Sequence, residues 1–165
     1  MIFVTVGSDL PFERLLKTVD RWAAETGCKE IFAQIGSSRW TPKHIDCLPF
    51  LPPSIFKERF RTADLIVAHA GMGTILSALF YEKPILVMPR RASLGEDRNE
   101  HQLATARRMQ ALGKAHVAFD DAEMLSRLQN LNALVTAPKI GPYAGEDLLN
   151  ALREFIDCGQ QKSAA

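Results

Sequence analysis

No stretch of this sequence approaches the roughly 20 consecutive apolar residues that a membrane-spanning helix requires. The chain is therefore expected to be soluble by itself. A charge excess of either sign is missing too: 20 Lys and Arg face 19 Asp and Glu, a formal charge of +1, so no polycationic surface announces nucleic acid or acidic lipid. Cysteine is scarce. Cys28, Cys47 and Cys158 are odd in number and lack metal-ligand spacing, which argues against a disulfide frame or a zinc site and for free thiols in a reducing cytosol. The start of the chain, a short β-rich run from Ile2 to Val6 and then a turn at Gly7, has no basic n-region, long apolar run or cleavage site. A cytoplasmic protein is expected. Internal repeats, low-complexity tracts, a second-domain linker and a carboxylate or histidine metal cluster are all lacking.

What is present suits a globular domain with a sizeable core: 165 residues, 47% hydrophobic and 24% charged. One domain over 1–160 is expected, with a frayed tail at 161–165. Short β-rich runs at 2–6, 30–35, 45–48, 65–68, 85–88 and 114–117 alternate with amphipathic stretches at 11–26, 54–62, 73–81, 99–112, 122–130 and 146–158. The first of these stretches places Phe12, Leu15, Leu16, Val19, Trp22 and Ala23 on one stripe and stops at Gly27, and the third stops at Lys83 and Pro84. Segment 133–145, with Pro138, Gly141, Pro142 and Gly145, reads as a crossing loop that delivers the last helix. The alternation predicts an α/β, Rossmann-like, mainly parallel sheet with helices on both faces.

Open parallel sheets bind ligands at the carboxyl ends of their strands, and three turns are predicted there. His69, Ala70, Gly71, Met72, Gly73 and Thr74 follow the run Asp64 to Ala68. Two glycines keep side chains from shielding the backbone N–H groups, Thr74 is placed to cap the helix that opens, and the helix terminus adds partial positive charge. A nucleotide diphosphate is the expected ligand. The third glycine of a dinucleotide fingerprint and the Gly-Lys-Ser/Thr of a P-loop are both missing, so NAD binding and P-loop NTPase activity lose ground. Gly7 and Ser8 follow the first strand, where Ser8 offers a hydroxyl to phosphate or, with Asp9, a helix cap. Gly36, Ser37, Ser38 and Arg39 follow the second, a flexible loop unless Arg39 meets an anion. The segment from Met88 to Gln102 leaves a buried strand, carries Arg90, Arg91 and Gly95, and enters a helix. Asp97 or Asn99 is expected to cap that helix, with Glu96 and Asp97 answering its dipole. His101 and Gln102 stand between site and scaffold. His44 and His116, near predicted strands, read as structural.

In their order and spacing these pieces resemble the C-terminal, donor-binding half of family 28 glycosyltransferases, especially the small stand-alone subunits of bacterial exopolysaccharide synthesis. The matching residues are Ile2 to Ser8, Phe12 to Leu16, Phe32 to Gly36, Ala63 to Val67, His69 to Thr74, Lys83 with Pro84, Val87 to Arg90, Gly95 with Glu96, and His101 with Gln102, over about 1–113. The resemblance implies half of a GT-B enzyme. It also implies similarity to the split dolichol-pathway N-acetylglucosaminyltransferase, in which a small subunit joins a membrane partner.

From the resemblance, Gly71, Met72, Gly73 and Thr74 donate to the diphosphate, Gly7 and Ser8 line the same cleft, and His101 and Gln102 lie near the donor sugar. Phe50 and Leu51 stand where the family meets uracil, or else pack into the core. Ser77 replaces the family's ribose-gripping glutamate, and Glu100 stands where Asn or Asp is common. The implied reaction is an inverting hexosyl transfer from a UDP-sugar to a lipid-linked acceptor. No cofactor or metal is expected, and Arg90 with the helix terminus stabilises the leaving diphosphate. The base is expected from a membrane-attached partner that holds the chain at the inner face of the membrane; His69 and His101 are the candidates within this chain. Self-association through the partner surface is a further expectation. A noncatalytic nucleotide-binding module is the main rival, and an epimerase of two-lobed fold would need a longer chain.

Overall fold

A computed structural model describes residues 1–141 and 146–162. Six parallel strands form one sheet: β1 (Ile2–Thr5), β2 (Ile31–Gln34), β3 (Asp46–Leu48), β4 (Leu65–His69), β5 (Ile85–Met88) and β6 (His116–Val117), in the order β3-β2-β1-β4-β5-β6. The chain first builds outward from β1 to β2 and β3, then returns to place β4 on the other side of β1. That reversal is the topological switch point. Six helices accompany the strands: α1 (Glu13–Thr26), α2 (Pro53–Thr62), α3 (Met72–Phe80), α4 (His101–Ala111), α5 (Asp121–Gln129) and α6 (Glu146–Lys162).

Both faces of the sheet are covered, which is why its strands read as continuous apolar runs. Ile2 and Val4 of β1 pack with Leu15, Leu16, Val19 and Trp22 of α1 and with Met124 and Leu128 of α5. Phe3, pointing the other way, packs with Phe60 of α2, Ile75 and Leu79 of α3, and Met109 of α4.

Element ends depart from the sequence expectation for identifiable reasons. α1 begins at Glu13 rather than at 11 because the Leu10 carbonyl is taken by the Arg90 guanidinium. Gly27, at φ 68°, closes this helix with its N–H on the Ala23 carbonyl. α3 ends one residue earlier than predicted, and Glu82 then adopts φ 54° before Lys83 and Pro84. Short 3₁₀ turns at Ala92–Leu94 and Leu131–Ala133 carry no three-residue periodicity that would have marked them. Segment 142–145 of the crossing loop and 163–165 of the expected tail lie outside the described residues; α6 continues past 158 to Lys162. Cys28 and Cys47 are free thiols, and among the described residues no helix is long and apolar enough to cross a membrane.

Candidate functional site

At the switch point the carboxyl ends of β1 and β4 diverge and leave a cleft of about 310 Å³. Gly7, Ser8 and Asp9 from the β1 end line it, as do His69, Gly71, Gly73, Thr74 and Ser77 from the β4 side, Arg90 beyond β5, and Phe56 and Phe60 of α2.

The helix terminus is organised differently from expectation. Gly71, not Thr74, is the N-cap, with extended backbone at φ −83°, and the first intrahelical bond runs from the Ile75 N–H to its carbonyl. Met72, Gly73 and Thr74 are therefore the first three helical residues. Thr74 cannot cap a helix that has already begun before it, and the N–H groups of all three have no carbonyl one turn back to receive them. A terminus with three open donors and no capping side chain is suited to an anion.

Each glycine has its own reason. A Cβ on Gly71 would lie 2.1 Å from Nε2 of His69, and one on Gly7, at φ +79°, would lie 2.8 Å from Cε1 of the same ring. The two residues make a slot for the imidazole, so their absence of side chain serves His69 first. Gly73 meets nothing within 4 Å. Its open face belongs to the cleft. Gly71→Ala is accordingly expected to destabilise the protein by about 1–3 kcal/mol through overpacking. In a His69→Ala background, denaturant unfolding should show that cost largely gone; an undiminished cost would refute the slot.

His69 ends β4 largely buried, its Nδ1 without a hydrogen-bond partner. Burial, and then the positive charge of Arg90, push its pKa down to about 4. At neutral pH the ring is uncharged. It can accept or donate a hydrogen bond but adds no positive charge for a diphosphate.

Arg90 brings positive charge to the cleft wall. It is 3% exposed, its Nη2 donates to the Val6 carbonyl at 2.7 Å and to the Leu10 carbonyl, and its guanidinium lies 5.2 Å from the centre of the Phe12 ring. Among the described residues no carboxylate forms an ion pair with it; burial pushes its pKa down, and Asp97, Glu96 and Asp9 act on it only from beyond ion-pair distance. A buried cation with no directly paired carboxylate favours an anion in the space it borders. Arg90 therefore also serves as scaffold, a role its position in the sequence does not announce.

Several predicted residues fall elsewhere. Gln102 is buried and internally committed: its Oε1 accepts the Arg90 N–H at 3.1 Å and its Nε2 donates to Asp97 at 2.9 Å. Its amide is not free to read a sugar. His101 is exposed outside the cleft lining, with Nδ1 2.5 Å from Asn99 Oδ1, which also accepts the His101 N–H. Neither Asp97 nor Asn99 is the N-cap of α4: that residue is Glu100, without a side-chain cap bond, and Asn99 binds the first helical N–H from one position further out. Glu96 does not answer the helix dipole; it pairs with Arg14. Ser8 and Asp9 do not cap α1, which starts after Phe12 without a side-chain cap. Phe50 is 53% exposed, so core packing does not explain it, whereas Leu51 packs on the core below with its N–H on Gln34 Oε1. Arg39 is exposed outside the cleft lining. His44 binds Asp20 of α1 at 3.0 Å and His116 meets the Val135 carbonyl at 2.9 Å, both as scaffold. Phe56, Phe60 and Asp9 in the cleft wall were not foreseen. The two phenylalanines share a helical stripe that in sequence is indistinguishable from core.

An all-parallel sheet whose strand order reverses at β1, with an anion-suited cleft at that point, defines a Rossmann-like lobe of the GT-B kind. The chain belongs to glycosyltransferase family 28: the model of the "Glycosyltransferase family 28 C-terminal domain" matches residues 1–139. It is 40% identical over 65 residues to the UDP-N-acetylglucosamine transferase subunit ALG13 of Eremothecium gossypii, covering 39% of this chain and 30% of that protein. It is 26% identical over 152 residues to the human protein of that name, covering 83% and 12%. The chain thus spans less than a third of either relative. In fold it resembles the NMR structure of ALG13 (TM-score 0.59, 17% identity, 92% of this chain and 93% of that one). It also resembles the glycotransferase of kitacinnamycin (TM-score 0.60, 23% identity), covering 80% of this chain but only 34% of the other.

Proposed function

We propose that this chain is the donor-binding subunit of a two-component inverting glycosyltransferase, a hexosyltransferase that moves a sugar from a UDP-sugar to a lipid-linked acceptor in exopolysaccharide or related glycan synthesis. The observation that carries this is the pairing, in one switch-point cleft, of a helix terminus with open N–H donors and a buried guanidinium that no carboxylate pairs directly. Membership of the family, and relatives described as UDP-N-acetylglucosamine transferase subunits, support the donor class.

In the proposed reaction an acceptor hydroxyl attacks the anomeric carbon as the bond from that carbon to the UDP oxygen breaks, inverting the centre. The charge that develops on the leaving diphosphate is met by the N–H groups of Met72, Gly73 and Thr74 and by Arg90. Gly7 and Ser8 close the opposite wall. The acceptor's proton goes to a base from the partner subunit, because His69 is wedged in its slot and His101 stands outside the cleft lining. Exposed Phe50 and its neighbour Leu51, both outside the residues that line the cleft, are assigned to the uracil. The site is placed on the cytoplasmic side, with the partner attaching the complex to the membrane.

Isothermal titration of the purified chain with UDP tests the donor assignment, which fails if the folded chain binds none. Ser77 refines it. Its hydroxyl donates to the Gly73 carbonyl at 2.8 Å, so towards the cleft it offers only lone pairs. Ser77→Glu should strengthen UDP binding by about 1–3 kcal/mol through charge-assisted bonds to the ribose diol. A 2′,3′-dideoxy analogue should gain nothing. Equal gains would remove Ser77 from the ribose.

A further inference from the structure

The two peptide groups that flank Arg90, just past the end of β5, have no strand neighbour to bind, and side chains take their polar atoms instead. Arg14 Nη2 donates to the Pro89 carbonyl at 3.0 Å, Gln102 Oε1 accepts the Arg90 N–H, and Glu96 Oε2 accepts the Arg91 N–H at 3.0 Å. Arg14 and Glu96 are joined to each other by a two-pronged ion pair, Nε to Oε1 at 2.7 Å and Nη2 to Oε2 at 2.8 Å, with side chains only 16% and 14% exposed. Phe12, fully buried, has the guanidinium groups of both Arg14 and Arg90 near its ring, 5.3 Å and 5.2 Å from the centre. Neither Arg14 nor Glu96 lines the cleft.

We infer that Arg14 and Glu96 form a brace that positions Arg90, and that they set the affinity of the cleft for a diphosphate without touching it. This rests on the donor site proposed above. An ion pair gripping the peptide groups on either side of Arg90 fixes where its Cα sits, and the Phe12 ring fixes the plane into which its side chain extends. Breaking the pair would leave Arg90 charged and present but poorly aimed.

The test uses the full chain and two ligands, UDP and uridine, the second lacking the groups that Arg90 addresses. Glu96→Gln should weaken UDP by roughly tenfold, within the coupling range of residues in one hydrogen-bond network, and leave uridine unchanged by NMR titration. Without ligand, the Arg90 Nε–H, a buried nitrogen expected to exchange slowly in the parent, should exchange faster in the variant. Arg14→Lys, which keeps the charge but not the fork, should behave alike and serves if Glu96→Gln does not fold. Equal losses for both ligands would mean general loosening and overturn the brace, as would unchanged UDP affinity. A parent chain that binds no UDP would overturn the donor site instead, and the Arg90 exchange rates would still decide whether the brace exists.

Discussion

Replacing Gly73 with aspartate is expected to leave a folded protein that no longer binds UDP. The substitution is sterically free, since a Cβ there meets nothing within 4 Å and the residue is the second of α3 in ordinary helical conformation. An acidic residue in the first turn of a helix stabilises it, and losing glycine adds helix propensity, so thermal stability should stay level or rise. The same carboxylate would stand among the open N–H donors where the diphosphate is assigned. Two like charges about 4 Å apart at an effective dielectric constant near 20 repel by roughly 4 kcal/mol, close to a thousandfold in affinity. Calorimetry on parent and variant, with unfolding curves for both, separates the effects. Equal UDP affinity in two folded proteins would move the diphosphate away from α3.

The alternation of apolar runs and amphipathic stripes made the fold legible in the sequence: each of the six strands lies within, or within one residue of, its predicted span. The turn around Gly71 and Gly73 was legible as a cleft wall because strand, glycines and helix follow without a break. What was hidden depends on contacts between residues far apart in sequence. Gly71 and Gly7 both yield space to His69, 2 and 62 residues away, and no local pattern states that. In the sequence Arg90 reads as a diphosphate ligand and Glu96 as an answer to a helix dipole. Their partners Val6, Leu10 and Arg14 meet them only after β1 and β5 are placed in one sheet, and Gln102 is taken by the Arg90 N–H and Asp97. Local turn chemistry likewise favoured Thr74 as a cap, whereas the structure opens α3 three residues earlier, at the cost of an uncapped terminus. That terminus is left to a ligand, and the local rule fails where function is assigned.

Purified alone, the chain is expected to bind UDP yet transfer little or no sugar, and to gain turnover by several orders of magnitude when a membrane-attached, acceptor-binding partner is added. The cleft lies on the surface of one lobe, lined by the ends of β1 and β4 and by α2 and α3. Orientation of two reactants is worth roughly 7–11 kcal/mol in well-aligned reactions, and a single lobe supplies it for the donor alone. In the proposed complex water would also reach the anomeric carbon of a donor held in the cleft until a second surface covers it. α3 carries such a surface to its edge: Met72, Leu76 and Phe80 stand one turn apart, each 44–45% exposed, leading away from the diphosphate end. The partner should bury this ridge along with the cleft mouth, and Leu76→Asp should weaken the complex and its turnover together while UDP binding by the isolated chain stays intact. Assays of UDP-sugar turnover on a lipid-linked acceptor, with and without the product of a neighbouring open reading frame, measure the dependence. Robust transfer by this chain alone, with no copurifying protein, would refute the two-component enzyme and return His69 and His101 to consideration as the base.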